Sequence, residues 1–506
     1  MTTKEQFLSK RQRYQSISLP QNFSDEEMAR DWTLSASDRQ EVEKYRKNFR
    51  LFAALQLCSV RLHGRFLNQV HDLSPHLINY LGQQLDLPPS LAIGAPERKA
   101  TYTDHRHNIM KYLGFQRFDD NAQERLESWI EQQARLGILP DELFQQVEKH
   151  LLNKRVLLPG PSVLERLIIH VCSDVHLQLF EMIFQQLSPE LRQAIDRLLM
   201  APDDEQRSYF YRLKEYPPAA TISSMQSYLQ RYQTVTETGI DDFETQMLSP
   251  SFVNYLFKQA KRCSAKDLKR FANHKRYALM ICFLLETRKT LLDHLVTMHD
   301  QYVMDISRQA RNVHEKKHRA LRKRQKGAID VVLETTHFLL DWPEDQPLSK
   351  QDIWRQVNEV KLRSSLDDLH EFKRLEERGY GDLLVARYPS LRKYFANFIH
   401  LPFAGEQGND HLTQGIEIVR KLDSGDLKRL PRTAPTDFVP KELRRVLKDQ
   451  SGNLNRNVWE MGLALAIKDA LRSGDLYLPQ SKQHVSFWDL TLSETRWQQA
   501  RASSFA

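Results

Sequence analysis

The sequence predicts an all-α chain of several domains, and three observations carry that reading. Glycine is scarce, 17 in 506 residues, about half the usual share, in a chain rich in Leu, Gln and Arg. Helix-start signals recur along the chain, as capping boxes and as proline at a first helical position. Residues 265–326 carry almost no punctuation, so one or two long helices are expected there.

The elements follow in order from local chemistry. Ser24 with Glu27 forms a capping box for a helix of about two turns, which Trp32-Thr33-Leu34-Ser35 interrupts. Ser37 with Gln40 forms a second box, opening a helix over 38–60. That helix lines Val42, Tyr45, Phe49, Phe52 and Leu55 on one face by 3-then-4 spacing, and carries Lys44, Arg46, Lys47 and Arg50 on the other. A short helix, a tight turn and a longer basic helix is the helix-turn-helix arrangement that lays a helix in a DNA groove, although many helical hairpins share it.

Ser74-Pro75 opens a helix through Leu77, Tyr80, Leu81 and Leu85. A Pro/Gly-broken connector over 87–100 carries Arg98 and Lys99. Thr103 caps a helix that ends at Gly114 and displays His105, Arg106, His107 and Lys111. Amphipathic helices follow around 126–134 and 142–152.

Pro159-Gly160-Pro161, with a Ser162/Glu165 box beyond it, marks a domain edge. Ser188-Pro189, Pro217-Pro218 and Ser249-Pro250 separate the helices of 163–260, and Gly327 with Pro343 marks a second boundary. Helices resume over 350–377 and 390–399. A loop over 402–410 precedes another helix, 430–440 is proline-punctuated, and a well-patterned helix over 455–471 ends at Arg472-Ser473-Gly474-Asp475. Only 476–490 hints at strand. The domain reading is 1–160, 161–330 with long basic helices, 331–475, and a segment 476–506.

Composition narrows the function. Apolar residues at 41% and charged residues at 27% are those of a globular protein, and a net charge of +8 with a pI near 9.1 favours a polyanionic partner. Cys58, Cys172, Cys263 and Cys282 form no Cys-x-x-Cys pair and read as free thiols in a reducing cytoplasm. The N-terminus has no apolar core of a signal peptide, and the longest apolar run, 277–285, is half a membrane span. The expectation is a cytoplasmic or nucleoid-associated protein with no membrane partner.

The basic residues are clustered. Residues 308–326 hold nine Lys/Arg, including Arg319, Arg322 and Lys323, against Glu315 alone. Residues 261–276 hold seven, including Lys269, Arg270, Lys275 and Arg276, against Asp267. A charge run on a helix is usually a solvated face, but several in one chain fit phosphate neutralisation.

His314-Glu315-Lys316-Lys317-His318 spells the H-E-x-x-H of a zinc protease. Its cationic surroundings would repel a divalent ion, and no third ligand or apolar flank follows, so no metal is expected there. No phosphate-binding Gly-rich loop, dinucleotide fingerprint or nucleophile elbow is present, and no active site is read from the residues.

Several blocks stand out along the chain. They are Trp32-Thr33-Leu34-Ser35 with Asp38, Ala54-Leu55-Gln56-Leu57-Cys58 with Arg61, and Gly64-Arg65-Phe66. His105 and Ile109 before Tyr112-Leu113-Gly114-Phe115, and Leu157-Leu158-Pro159-Gly160 before Leu164-Glu165-Arg166-Leu167, continue the series. Asp437-Phe438-Val439-Pro440, Trp459-Glu460 and Asp469-Ala470-Leu471-Arg472-Ser473-Gly474-Asp475 complete it. Together, and in this order, the blocks resemble the large Tn-three-family transposases.

The resemblance implies a helical array of helix-turn-helix-like modules that bind double-stranded DNA at transposon terminal inverted repeats. It also implies an RNase H-like Asp-Asp-Glu catalytic domain after the last block. Because 506 residues stop shortly after it, this chain is expected to be the DNA-binding half, with 476–506 a truncated linker. It is then not an enzyme itself, and needs no cofactor; magnesium belongs to the catalytic domain. The candidate DNA contacts are Arg46, Lys47, Arg50, Arg61, Arg98, Lys99, Arg106, Lys111, Lys269, Arg270, Lys275, Arg276, Arg319, Arg322 and Lys323. The chain could also associate with itself or with a full-length transposase. The alternatives are an inactive regulator that competes with full-length transposase and a helical protein-interaction scaffold.

Overall fold

Helix caps written into the sequence set many of the element starts. The computed structural model describes residues 7–15, 17, 22–67, 73–88, 93–201, 207–216, 219–343, 347–405, 410–449, 451–487 and 497. The Pro217-Pro218 breaker and the end of the 476–490 segment lie outside the described residues. The fold is all-α. The strands among the described residues are Ala404–Gly405 and Leu476–Tyr477, paired antiparallel with Ala404 opposite Tyr477, so the strand hint beyond 476 reduces to two residues.

The chain divides into two compact units. The first comprises 1–192 with 243–283, the second 193–242 with 284–506. Neither Gly160 nor Gly327 falls at an edge between them.

In the first unit the Ser24/Glu27 box caps the Asp25–Asp31 helix as expected. The second box differs: Ser35 and Asp38, not Ser37 and Gln40, cap the Ala36–Glu43 helix, each accepting from the other's backbone N–H at 3.1 and 2.9 Å. The single helix expected over 38–60 is also broken. It ends at Glu43, passes through a 3-10 turn over Lys47–Phe49, and resumes as Arg50–His63. The Arg50 guanidinium donates to the Tyr45 and Glu43 carbonyls (3.2 and 3.0 Å), satisfying acceptors that the helix end leaves open. Val42, Tyr45 and Leu55 still reach one core, with Phe49 packed against it, because the turn re-aims two short segments at it; Phe52 is buried with its ring near Tyr102.

The Arg50–His63 helix is buried almost all round, from Leu51 to Val60, inside the Ala36–Glu43, Pro75–Gln84 and Lys99–Leu113 helices. Burial of each such Leu is worth about 1.5–3 kcal/mol. Lys99–Leu113 starts four residues before the expected Thr103 cap, with Arg98 at its N-cap, and ends at a left-handed Gly114 as expected.

The Asp120–Arg135 and Pro140–Asn153 helices pack on Pro161–Gln186. That last helix begins on Gly160-Pro161 with no side-chain cap. Glu165 does not complete a box with Ser162; it accepts from the Leu8 N–H and pairs with Arg13 at 2.7 Å. By length and composition the Pro161–Gln186 helix could cross a membrane, and residues 277–285 are therefore not the strongest such segment. Here it packs by Leu164, Ile168, Leu179 and Ile183 against the unit's other helices.

In the second unit the Ile222–Thr236, Tyr388–Phe398 and Arg456–Ser473 helices enclose Tyr394, Phe395, Phe398 and Trp459. The Asn273–Leu340 helix contributes residues 273–283 to the first unit and 284–340 to the second. It runs through Gly327, because one glycine costs a helix only about 1 kcal/mol. Pro343 follows its end. The helix expected over 350–377 is two, Lys350–Gln356 and Glu359–Arg378.

Candidate nucleic-acid interface

The structure sorts the candidate cations by what they already touch. Arg61 is held inside the first unit: its Nη1 donates to Asp38 at 2.7 Å, and its Nη2 reaches the Thr33 carbonyl at 3.4 Å. Asp38 also accepts from the Tyr112 hydroxyl at 2.9 Å, so one carboxylate ties three helices together. Burial alone would raise the Asp38 pKa, but donation from Ser35, Arg61 and Tyr112 outweighs it and holds the group below its ordinary value. Arg50 caps the Tyr45 and Glu43 carbonyls. Arg106 is half-buried and stacks over Phe66 at 4.3 Å and Tyr102 at 5.4 Å. These three side chains have intramolecular work that the sequence did not reveal.

Arg46, Lys47, Arg98, Lys99 and Lys111 are exposed, and none has an ion pair among the described residues. Arg46 and Lys47 sit in the turn between the Ala36–Glu43 and Arg50–His63 helices, not on a helix face. Gly94 packs so close to this turn that a Cβ there would lie 2.6 Å from the Asn48 carbonyl oxygen. Tyr45 and Phe49 also pack their rings on His105 of the Lys99–Leu113 helix, at 4.4 and 5.6 Å. The fold therefore lays the 44–50 turn against the segment that carries Arg98 and Lys99.

The 261–276 cluster surrounds the Ala265–Arg270 helix. Its one acid, Asp267, is taken up in a capping box with Ser264, whose hydroxyl and backbone N–H lower the carboxyl pKa. Lys269 and Arg270 are exposed. Lys275 lies over Phe271 at 4.7 Å and Arg276 over Tyr277 at 4.9 Å.

On the Asn273–Leu340 helix, Arg319, Arg322 and Lys323 are exposed. Arg319 pairs with Glu315 at 3.5 Å, one turn away. His314 and His318 of the H-E-x-x-H motif turn toward the Glu359–Arg378 helix and its end. His318 lies beside Phe372 (5.1 Å) and Glu376 (3.7 Å), and His314 lies beside Tyr380 (6.4 Å). Among the described residues no three His, Cys, Asp or Glu side chains gather as metal ligands.

One polar cluster had almost no signal in the sequence. In the second unit, Glu460 is fully buried and accepts from Arg456 Nε at 2.5 Å and the Tyr388 hydroxyl at 2.8 Å, with Arg392 at 3.3 Å. Asp423 pairs with both arginines. Two cations against two anions leave no net charge, so the group joins helices and does not attract phosphate. Only the Arg456–Glu460 spacing of four was legible.

The molecule is thus an all-α protein with exposed, incompletely paired basic surfaces in each unit, suited to a polyanionic ligand. Comparisons with known proteins agree in kind. A domain described as a domain of unknown function (DUF4158) matches residues 7–171. The chain is 23% identical over 482 residues to the transposase for transposon Tn1546 of Enterococcus faecium, covering 94% of this chain and 48% of that protein. It is 25% identical over 484 residues to the transposase for transposon gamma-delta of Escherichia coli (strain K12), covering 94% and 48%. It is 23% identical over 494 residues to the transposase for transposon Tn501 of Pseudomonas aeruginosa, covering 96% and 49%. The chain is therefore homologous to transposases over nearly its whole length, and it spans about half the length of these relatives.

Proposed function

We propose that this chain binds double-stranded DNA at the terminal inverted repeats of a transposon, as the end-recognition part of a transposase. The observation that carries the reading is that Arg46 and Lys47 in the 44–50 turn, and Arg98 and Lys99 at the start of the Lys99–Leu113 helix, are exposed and free of ion pairs among the described residues, with Gly94 packed against that turn. Homology to transposases over 94% of the chain supports it. Planar arginines beside lysines can both fork to guanine and neutralise phosphate. On this reading the residues named here grip DNA, and none of them is assigned a part in strand chemistry.

Fluorescence anisotropy with an inverted-repeat duplex and a scrambled duplex, at one salt concentration, tests this. The expected result is a preference for the repeat. Arg46→Ala or Arg98→Ala should reduce it by about 1–3 kcal/mol if the side chain reads a base, whereas Lys47→Ala or Lys99→Ala should weaken both duplexes alike. Equal affinity of the unsubstituted protein for the two sequences would sink the proposal.

A further inference from the structure

We infer that the basic face of the Asn273–Leu340 helix is a second DNA surface, one that binds duplex irrespective of sequence. This rests on the DNA-binding reading above but not on its end specificity. Arg308, Lys316, Arg319, Arg322, Lys323 and Lys326 recur at spacings of three, four and their sums, which places them along one side of the helix. The opposite side buries Ala310, Leu321, Ala328 and Val331. That packed side is joined to the Glu359–Arg378 helix by His318 against Phe372 and by Arg324 with Asp368. Packing thus fixes the orientation of the helix and turns the cations outward.

The chemistry of the outward side decides the mode of binding. Two of its three arginines are paired within the helix, Arg308 with Asp305 at 2.6 Å and Arg319 with Glu315 at 3.5 Å. Lys316, Arg322, Lys323 and Lys326 remain exposed with no ion pair among the described residues. Three of these four are lysines, compact charges on flexible stems that meet phosphate without the planar fork that reads a base. From 316 to 326 the helix rises about 15 Å. A duplex presents about one charge per 1.7 Å of axis, so four cations on this length find phosphates in any register.

The test uses the full chain with the substitutions K316Q, R322Q, K323Q and K326Q combined. Glutamine keeps the helix propensity of lysine, and circular dichroism checks the fold. Affinity for a scrambled duplex is measured by anisotropy across a salt series. The combined variant should bind it at least about tenfold more weakly at low salt, and the slope of log K against log salt should fall by about 3 to 4, at about 0.9 per phosphate contact. A K316R, K323R and K326R variant should keep wild-type affinity. An unchanged slope, or a loss confined to the inverted repeat, overturns the inference. So does displacement of the duplex by polyglutamate at equal charge concentration, which would assign the surface to an acidic polypeptide. If the protein shows no preference for an inverted repeat, the end-reading proposal falls while this one stands; if the slope is unchanged while the preference persists, the reverse holds.

Discussion

Arg61→Ala separates a structural cation from a DNA-reading one. In the folded first unit Arg61 Nη1 lies 2.7 Å from Asp38, whose side chain is 4% exposed against 33% for Arg61. Breaking a fully buried ion pair costs about 3–5 kcal/mol. Here one partner is a third exposed, and Asp38 keeps its bonds from Ser35 and Tyr112. The loss should be about 2 kcal/mol, which for a unit of roughly 150–250 residues lowers its Tm by about 4–8 °C. The effect should depend on pH. The Asp38 pKa is held below its ordinary 3.8 in the folded state, so its stabilisation is complete above that value and disappears as pH falls through the folded value. The gap between wild type and variant should therefore narrow in acid. Thermal unfolding by circular dichroism, at neutral and acidic pH, gives the comparison. A variant that melts like wild type at neutral pH, yet loses affinity for the inverted repeat, would refute the structural role and return Arg61 to the interface.

Three further outcomes follow from the packing. His299 lies between the Tyr394 hydroxyl (2.9 Å) and the Ala464 carbonyl (3.0 Å), stacked on Phe398 at 4.4 Å. Burial pushes its pKa down to about 4, so stability should decline by up to about 1.4 kcal/mol per pH unit from 6.5 towards 4 as the unfolded chain takes up the proton. H299F should be less stable at neutral pH and should lose that share of the slope in denaturant titrations; matching slopes would contradict it. Gly137 has φ +84°, and a Cβ would sit 2.4 Å from the Phe252 backbone nitrogen. Gly137→Ala should therefore cost at least about 2 kcal/mol in chemical denaturation. Gly327→Ala should instead stabilise by about 0.5–1 kcal/mol, because Gly327 is inside a helix with nothing within 4 Å of the new methyl; a lower Tm would be inconsistent.

Interactions within about four residues are legible in the sequence itself. The Ser24/Glu27 box, proline starts at Pro75, Pro189 and Pro250, and the Gly114 stop all stand where local chemistry puts them. Where local signals compete, they mislead by a few residues: Ser35 lies beside Ser37, and Asp38 offers the better box. Spacing correctly places Val42, Tyr45, Phe49 and Leu55 at one core, though not Phe52, and it cannot show that a turn intervenes, since two aimed segments leave nearly the same apolar pattern as one helix.

The blocks that carry the family resemblance prove to be largely structural in this chain. Trp32, Asp38, Arg61 and Tyr112 build the first unit's core and its polar tie, and Trp459 donates from Nε1 to the Pro435 carbonyl at 2.7 Å. The sequence by itself determined an all-helical chain, its caps and breakers, its basic clusters and its kinship with transposases. Which cations are available to a ligand was decided by tertiary structure alone. Arg61 finds its acid 23 residues away, and Asp38 finds the Tyr112 hydroxyl 74 away. Partners that far apart meet only when helices pack, and a charge is free for DNA only when that packing has left it without one.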